Sequence, residues 1–279
     1  MIKKSINQWA FAKDTAKGCM ELAKDAGFEA IELALAEDGD ITLNSTETEI
    51  RALRETADRI EIELASLATG LFWSYSLTSN DADTRKKALD VAKKELEVAA
   101  WLGVDAILVV PGAVGVDFVP ESEVIPYDVA YERALAAIRE LAPVAEQLKV
   151  AVCVENVWNK FLLSPLEMRD FVDAVDSEYV GVYFDVGNVI PMGYPEHWIQ
   201  ILGKRIKRVH FKDFRRNVGT LDGFVDLLEG DVNWPEVMAA LRRIGYNSYA
   251  TAEMIPPYTH HPEALVCNTS RSMDYILKR

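Results

Sequence analysis

The stretch VAVCVENVWNKFLLSPLEMRDFVDAVDSEYVGVYFD (150–185) holds one complete unit of the fold. It opens on an unbroken apolar run, VAVCV, and closes on another, VGVYF, each followed at once by a carboxylate. Between them, Ser164-Pro165-Leu166-Glu167 writes a helix start: an N-cap hydroxyl, proline at the first helical position and an acid in the first turn. Runs without polar alternation suit strands buried on both faces, as in a parallel sheet. A strand, a helix and a second such strand therefore form a parallel crossover unit.

The same period extends outward to both ends of the chain. Strands are expected at Lys3–Gln8, Ala30–Ala34, Glu61–Leu67, Ala106–Val110, Val150–Glu155, Val180–Asp185, Lys207–Phe211 and Tyr249–Glu253. Helical patterns separate them. Leu89, Ala92, Leu96 and Ala99 recur every three or four residues, an apolar stripe along one helix face. Thr46-Glu47-Thr48-Glu49 is a capping box ahead of the helix through Leu53 and Ala57. Eight strand–helix pairs with no low-complexity linker predict a single α/β domain over 1–279, a closed (β/α)₈ TIM barrel, with an open doubly wound sheet as the alternative. The 279 residues compare with the roughly 250 typical of such a barrel. Against the open sheet, no G-x-G-x-x-G follows the first strand, and neither a P-loop nor a G-x-S-x-G elbow occurs anywhere.

Composition narrows the partners. Hydrophobic residues make up 49% and charged residues 27%, enough for a large core inside a solvated surface. A net charge of −14 repels nucleic acid and anionic lipid, so neither is an expected partner. No segment approaches the roughly 18 apolar residues of a transmembrane helix, and no apolar stretch near the start is long enough for a signal peptide. Cys19, Cys153 and Cys267 are odd in number and scattered, so they read as small buried thiols. A cytoplasmic enzyme is the expectation.

In a barrel, chemistry gathers at the carboxyl ends of the strands. The last four strands end in Glu155, Asp185, His210 and Glu253, separated by 30, 25 and 43 residues, about one strand–helix unit each. One such carboxylate is more often an ion pair or a helix cap. Four polar ends in succession are harder to explain that way, because three carboxylates meeting without a cation would repel one another and be costly to desolvate. One divalent metal removes that objection. Three oxygen donors and one imidazole suit Mn²⁺ first, with Mg²⁺, Co²⁺ and Zn²⁺ open.

The strand ends ENVWNKF (155–161), YFDVGNV (183–189), VHFKD (209–213) and TAEM (251–254), with GDVNWPEV (230–237), resemble the xylose-isomerase-like barrel superfamily. Within it they resemble the sugar-phosphate isomerase/epimerase branch, whose relatives include ketose 3-epimerases and L-xylulose-5-phosphate 3-epimerases. The resemblance spans nearly the whole chain. It implies that Glu155, Asp185, His210 and Glu253 ligate the metal, that Glu155 and Glu253 double as the catalytic acid/base pair, and that the substrate is a small sugar or sugar phosphate. In such an epimerase one glutamate removes the C3 proton of a ketose, a cis-enediolate forms, and the other glutamate returns a proton to the opposite face. An aldose–ketose isomerase or a polyol ketone dehydratase would use the same site. A non-catalytic sugar-binding barrel is the alternative of a different class, and hydroxypyruvate isomerase has no positive support. The superfamily's three-zinc DNA-repair endonucleases need many histidines and a basic face; four histidines and the acid excess exclude them.

The resemblance also implies that Arg216, six residues beyond His210, contacts substrate hydroxyls, with Arg215 adjacent and inseparable from it by sequence. The chain departs from the ketose epimerases at two contacts, carrying Leu162 where they have a glutamate and Asn188 where they have a histidine. Asn188 can still donate and accept a hydrogen bond. Trp9, with Phe72 and Trp73, could wall a sugar's carbon face or simply pack the barrel top. Gly112, after the fourth strand, would let backbone approach a ligand or mark a plain turn. Glu32 reads as a structural ion pair, with an outer contact to the site as the alternative. His197 belongs to a short sixth helix, while His260 and His261 sit in a loop that could border the site. Residues 213–230 read as a lid or an oligomer contact, and a homo-oligomer, dimer or tetramer, is expected.

Overall fold

A computed structural model describes residues 1–12 and 15–278. Eight parallel strands close into a barrel: β1 (Lys3–Asn7), β2 (Ala30–Leu35), β3 (Glu63–Thr69), β4 (Ala106–Val109), β5 (Ala151–Glu155), β6 (Val180–Asp185), β7 (Ile206–Phe211) and β10 (Tyr249–Ala252). Two short strands, β8 (Asp213–Phe214) and β9 (Phe224–Val225), form an antiparallel hairpin between the last two barrel strands. Among the described residues, eight α-helices surround the barrel: α1 (Ala16–Asp25), α2 (Glu47–Ile60), α3 (Ala82–Leu102), α4 (Tyr127–Leu148), α5 (Pro165–Val175), α6 (Pro195–Leu202), α7 (Trp234–Arg243) and α8 (Pro262–Leu277). The closed barrel, rather than the open sheet, is the architecture, and β10 pairs with β1 to close it.

The helix starts behave as their sequences dictate. Thr46 and Glu49 form the reciprocal capping box of α2, and the Ser164 hydroxyl accepts from the Glu167 N–H with Pro165 in the first turn of α5. Ala92, Leu96 and Ala99 are buried along α3, and His197 lies in α6. The third strand begins two residues later than its sequence suggests. Helix α2 runs on to Ile60, and Glu61 takes the left-handed conformation that turns the chain, so the strand cannot start there. Glu253 lies one residue past β10, yet its N–H still donates to the Phe211 carbonyl, extending the ladder. Cys19 and Cys153 are buried as expected, whereas Cys267 is exposed on α8. It falls on the solvent face of an amphipathic helix.

Parallel register fixes which side chains share a level. Asp185 pairs with His210, and Thr251 with His210. Because alternate residues of a strand face the same way, Glu155, Tyr183, Asp185, His210 and Glu253 all point into the barrel. None of the helices among the described residues is long and apolar enough to cross a membrane.

Candidate metal centre

At the carboxyl end of the barrel, Glu155, Asp185, His210 and Glu253 each offer one ligand atom, and these atoms lie within 4.8 Å of one another. All four residues are buried. His210 Nδ1 stands 2.9 Å from Glu253 Oε2, 3.6 Å from Glu155 Oε1 and 3.9 Å from Asp185 Oδ2. The imidazole is therefore the hub of the cluster.

Outer residues aim these atoms. Glu32 is fully buried; its Oε1 accepts from Asn7 Nδ2 at 2.6 Å and meets His210 Nε2 at 2.8 Å. Its Oε2 accepts from the Ser66 hydroxyl at 2.6 Å and the Tyr183 hydroxyl at 2.5 Å. Burial alone would push the Glu32 carboxyl up, but the charge and hydrogen bond of His210, with the two hydroxyls, hold it below its ordinary value. A carboxylate on Nε2 fixes the ring so that Nδ1 faces the cluster, a common arrangement behind metal-bound histidine. Glu32 is thus both the ion pair and the outer contact that the sequence left as alternatives. Asp185 is aimed similarly: its Oδ1 accepts the Asn188 N–H at 2.8 Å, leaving Oδ2 for the cluster. Asn156 bonds both the N–H and the carbonyl of Asp185, which clamps β6 to β5 at this level.

Lys212 is the residue that sequence reading left without a role. Its buried ammonium lies 2.8 Å from Glu253 Oε2 and 3.1 Å from Asp185 Oδ2, with the Phe224 ring 5.2 Å away. A signal existed in VHFKD, because Lys212 stands two residues after His210 and so faces the same side of the chain. Gly187 makes room for it. A Cβ at that glycine would sit 2.6 Å from Lys212 Cβ and 2.9 Å from its carbonyl carbon.

The two glutamates have opposite electrostatics. Burial pushes the Glu155 carboxyl up to about 7, with the negative Glu253 adding to the rise and His210 and Lys212 opposing it. Burial also pushes Glu253 up, but the Lys212 ammonium and His210 more than offset that and hold it well below the ordinary range. Asp185 is raised, chiefly by burial. Burial disfavours the His210 cation, yet Glu32 and Glu253 outweigh it and favour the protonated ring.

The residues fit a divalent ion. Asp185 Oδ2, His210 Nδ1 and Glu253 Oε2 are buried without a hydrogen bond of proper geometry, and they converge. Buried polar atoms are rarely left so. Three carboxylates with one imidazole are a donor set for Mn²⁺, Mg²⁺ or Co²⁺.

Above the cluster opens a cavity of about 580 Å³, reached by Glu155, Asn188, Lys212 and Glu253. Trp9 and Trp73 line it, Trp158 and Phe224 are further walls, and Phe72 borders a neighbouring cavity. Gly112 does not line the cavity above the cluster. It borders the same neighbouring one, and its φ of +112° goes with close packing on Thr78. Arg216 is likewise elsewhere: its guanidinium stacks 5.4 Å from the Tyr194 ring, and its Nε donates to the Ile190 carbonyl. Leu162 is buried beside Tyr127, away from the cavity. Residues 213–230 are pinned at their base, because buried Asp213 accepts from the N–H groups of Phe214, Leu228 and Val232 and from Trp234 Nε1. The hairpin delivers Leu221, Asp222 and Phe224 to the cavity wall.

The family described as xylose isomerase-like TIM barrel matches residues 20–275. An uncharacterised protein of Methanocaldococcus jannaschii is 24% identical over 258 residues, covering 90% of this chain and 83% of that one. A Haemophilus influenzae protein provisionally named an L-ribulose-5-phosphate 3-epimerase is 24% identical over 249 residues, covering 84% and 82%. Among solved structures, D-psicose 3-epimerase from Clostridium cellulolyticum H10 with D-tagatose superposes with a TM-score of 0.81 at 21% identity, over 99% of both chains.

Proposed function

Because the chain belongs to the xylose isomerase-like TIM barrel family and brings Glu155, Asp185, His210 and Glu253 around one point, we propose that it is a metal-dependent sugar isomerase, a 3-epimerase of a ketose or ketose phosphate. The convergence of those four ligand atoms at the floor of a substrate-sized cavity is the observation that carries this reading. Fold neighbours named as D-psicose and L-ribulose 3-epimerases support it.

When bound, a divalent ion, Mn²⁺ by preference, supplies a Lewis acid that polarises substrate oxygens and offsets developing negative charge. Proton movement falls to the two glutamates. One of Glu155 and Glu253 accepts the proton from C3, and the other returns one to the opposite face. They stand on β5 and beside β10, with β6 and β7 between them, which allows approach from two sides of one carbon. Asn188 and Trp9, both lining the cavity, position the substrate. A homo-oligomer, dimer or tetramer, and a cytoplasmic location accompany this reading.

The test is incubation of free and phosphorylated ketoses with Mn²⁺ in deuterated water. Deuterium at C3 together with the C3 epimer is the expected result. An aldose product would instead make the enzyme an aldose–ketose isomerase. Neither label nor epimer across the panel would leave a non-catalytic sugar-binding barrel.

A further inference from the structure

The lining of the cavity above the cluster is mostly apolar. Glu155, Asn188, Lys212 and Glu253 meet at its floor, and the walls toward the mouth are Trp9, Trp73, Val110, Phe118, Trp158 and Phe224. These walls are braced. Trp73 and Phe118 pack edge to face at 5.1 Å, and Trp158 and Phe224 lie 5.2 Å apart. The Trp158 Nε1–H is already given to the Asn188 carbonyl, so Trp158 offers a ligand its carbon face alone.

The mouth continues the pattern. Phe118, Leu221 and Ile255 are 37%, 45% and 47% exposed, and all three border this cavity. They come from different places in the chain: after β4, within the β8–β9 hairpin, and after β10. Single exposed apolar residues are ordinary, but three converging at the mouth of one cavity mark a place where apolar ligand surface is received.

Among the described residues that line that end, none suits a phosphate. Phosphate sites use arginine forks, lysines or helix N-termini. Among the described residues that line the cavity, Lys212 is the one cation; it sits at the floor, paired with Asp185 and Glu253. Asp222 adds negative charge on the hairpin side. Arg215 and Arg216 face a separate open depression with Glu229 and Asp231. A bare sugar would leave the apolar walls toward the mouth uncovered, since its far carbons carry hydroxyls. The volume of about 580 Å³ lies within the range of roughly 300–1,000 Å³ that holds ligands well above monosaccharide size.

We infer that the substrate is an uncharged ketose derivative with a free hydroxy-ketone at the reacting end and an apolar substituent, an aryl or alkyl ether or glycosidic group, at the far end. This rests on the epimerase reading for its reacting end. The Mn²⁺-loaded protein is titrated calorimetrically with D-fructose, D-fructose 6-phosphate and 6-O-benzyl-D-fructose, and C3 hydrogen exchange is followed for each. The benzyl ether is expected to bind at least tenfold more tightly than D-fructose, and the phosphate no more tightly than D-fructose. Leu221→Asp and Ile255→Asp should each cut that preference to less than threefold while leaving Mn²⁺ affinity unchanged. Tightest binding of the phosphate overturns the inference, and so does equal binding of all three, absence of binding included. It is also overturned if Leu221→Asp changes the mass of the protein in solution but not the preference, since the mouth would then be a contact between copies of the chain. Preferential binding of the benzyl ether without C3 exchange of any of the three would sink the epimerase reading and leave the apolar end of the cavity standing.

Discussion

Charge is buried at both ends of the same barrel, as Arg208 with its exposed partner Asp105 at one end and as a cluster at the other, and the two differ in what they lack. At the amino end, Arg208 reaches across the barrel. Its Nε donates to the Ala65 carbonyl, its Nη1 to the Lys207 carbonyl and the Ser248 hydroxyl, and its Nη2 to Asp105, with the Tyr249 ring alongside. At the carboxyl end, Asp185 Oδ2, His210 Nδ1 and Glu253 Oε2 are just as buried, and beyond ion pairs with Lys212 and one another they find no hydrogen bond of proper geometry. A satisfied buried charge is part of the scaffold. A cluster left short of partners is held that way by its surroundings, here by Glu32 behind His210 and Asn188 behind Asp185, and its deficit is what a ligand meets.

The comparison breaks most sharply at Glu253. Glu253→Gln keeps the shape and one possible donor oxygen but removes the carboxylate, so turnover should fall by roughly a thousandfold or more while Mn²⁺ still binds. Steady-state rates and Mn²⁺ titration of the same preparation check it; near-normal turnover would move the proton transfer to another residue. At the other end, Arg208→Met leaves two carbonyls and a hydroxyl without their donor. It should cost about 3 kcal/mol of stability in urea unfolding and leave Mn²⁺ affinity unchanged. A loss of metal affinity there would mean that the two ends are not independent.

Glu32→Gln tests what lies behind the cluster. Loss of the carboxylate on Nε2 should lower Mn²⁺ affinity by about 10–100-fold. An unchanged affinity would reduce Glu32 to a purely structural ion pair.

A smaller effect is expected in the pH dependence of the metal-free fold. Glu155 rises from an ordinary value near 4.5 to about 7, and Asp185 and His210 are also raised. Groups whose pKa is higher folded than unfolded bind protons preferentially in the fold, so their contribution is present at low pH and lost as pH climbs through the folded value. Glu253, which is lowered, acts in the opposite sense but only below about 4.5, its ordinary value. The metal-free protein should therefore lose thermal stability from about pH 5 to pH 8, and Mn²⁺, which displaces those protons, should reverse the trend. Scanning calorimetry at both pH values, with and without Mn²⁺, decides it. A metal-free melting temperature that climbs over that interval would contradict the assignment of charges.

What the sequence made legible follows from where each interaction is encoded. Glu155, Asp185, His210 and Glu253 were readable because each closes an apolar strand, and in a barrel the ends of strands share one rim. Lys212 was readable in principle from its two-residue step past His210, but a lysine beside an acid looks like surface. Glu32 reads first as an ion pair and only second as an outer contact, because its partners Asn7, Ser66, Tyr183 and His210 lie on four other strands. Where Arg216 points is not written in the sequence, because loop side chains follow local attractions, here the Tyr194 ring and the Ile190 carbonyl. The apolar mouth was invisible for a related reason: Phe118, Leu221 and Ile255 meet only after three connections have folded over the barrel.

The most direct test is anomalous diffraction from crystals soaked in Mn²⁺. A single strong peak is predicted at bonding distance from one atom each of Glu155, Asp185, His210 and Glu253, with His210 contributing Nδ1 and its Nε2 still on Glu32. A peak anywhere else, or none at that point under saturating Mn²⁺, would contradict the account.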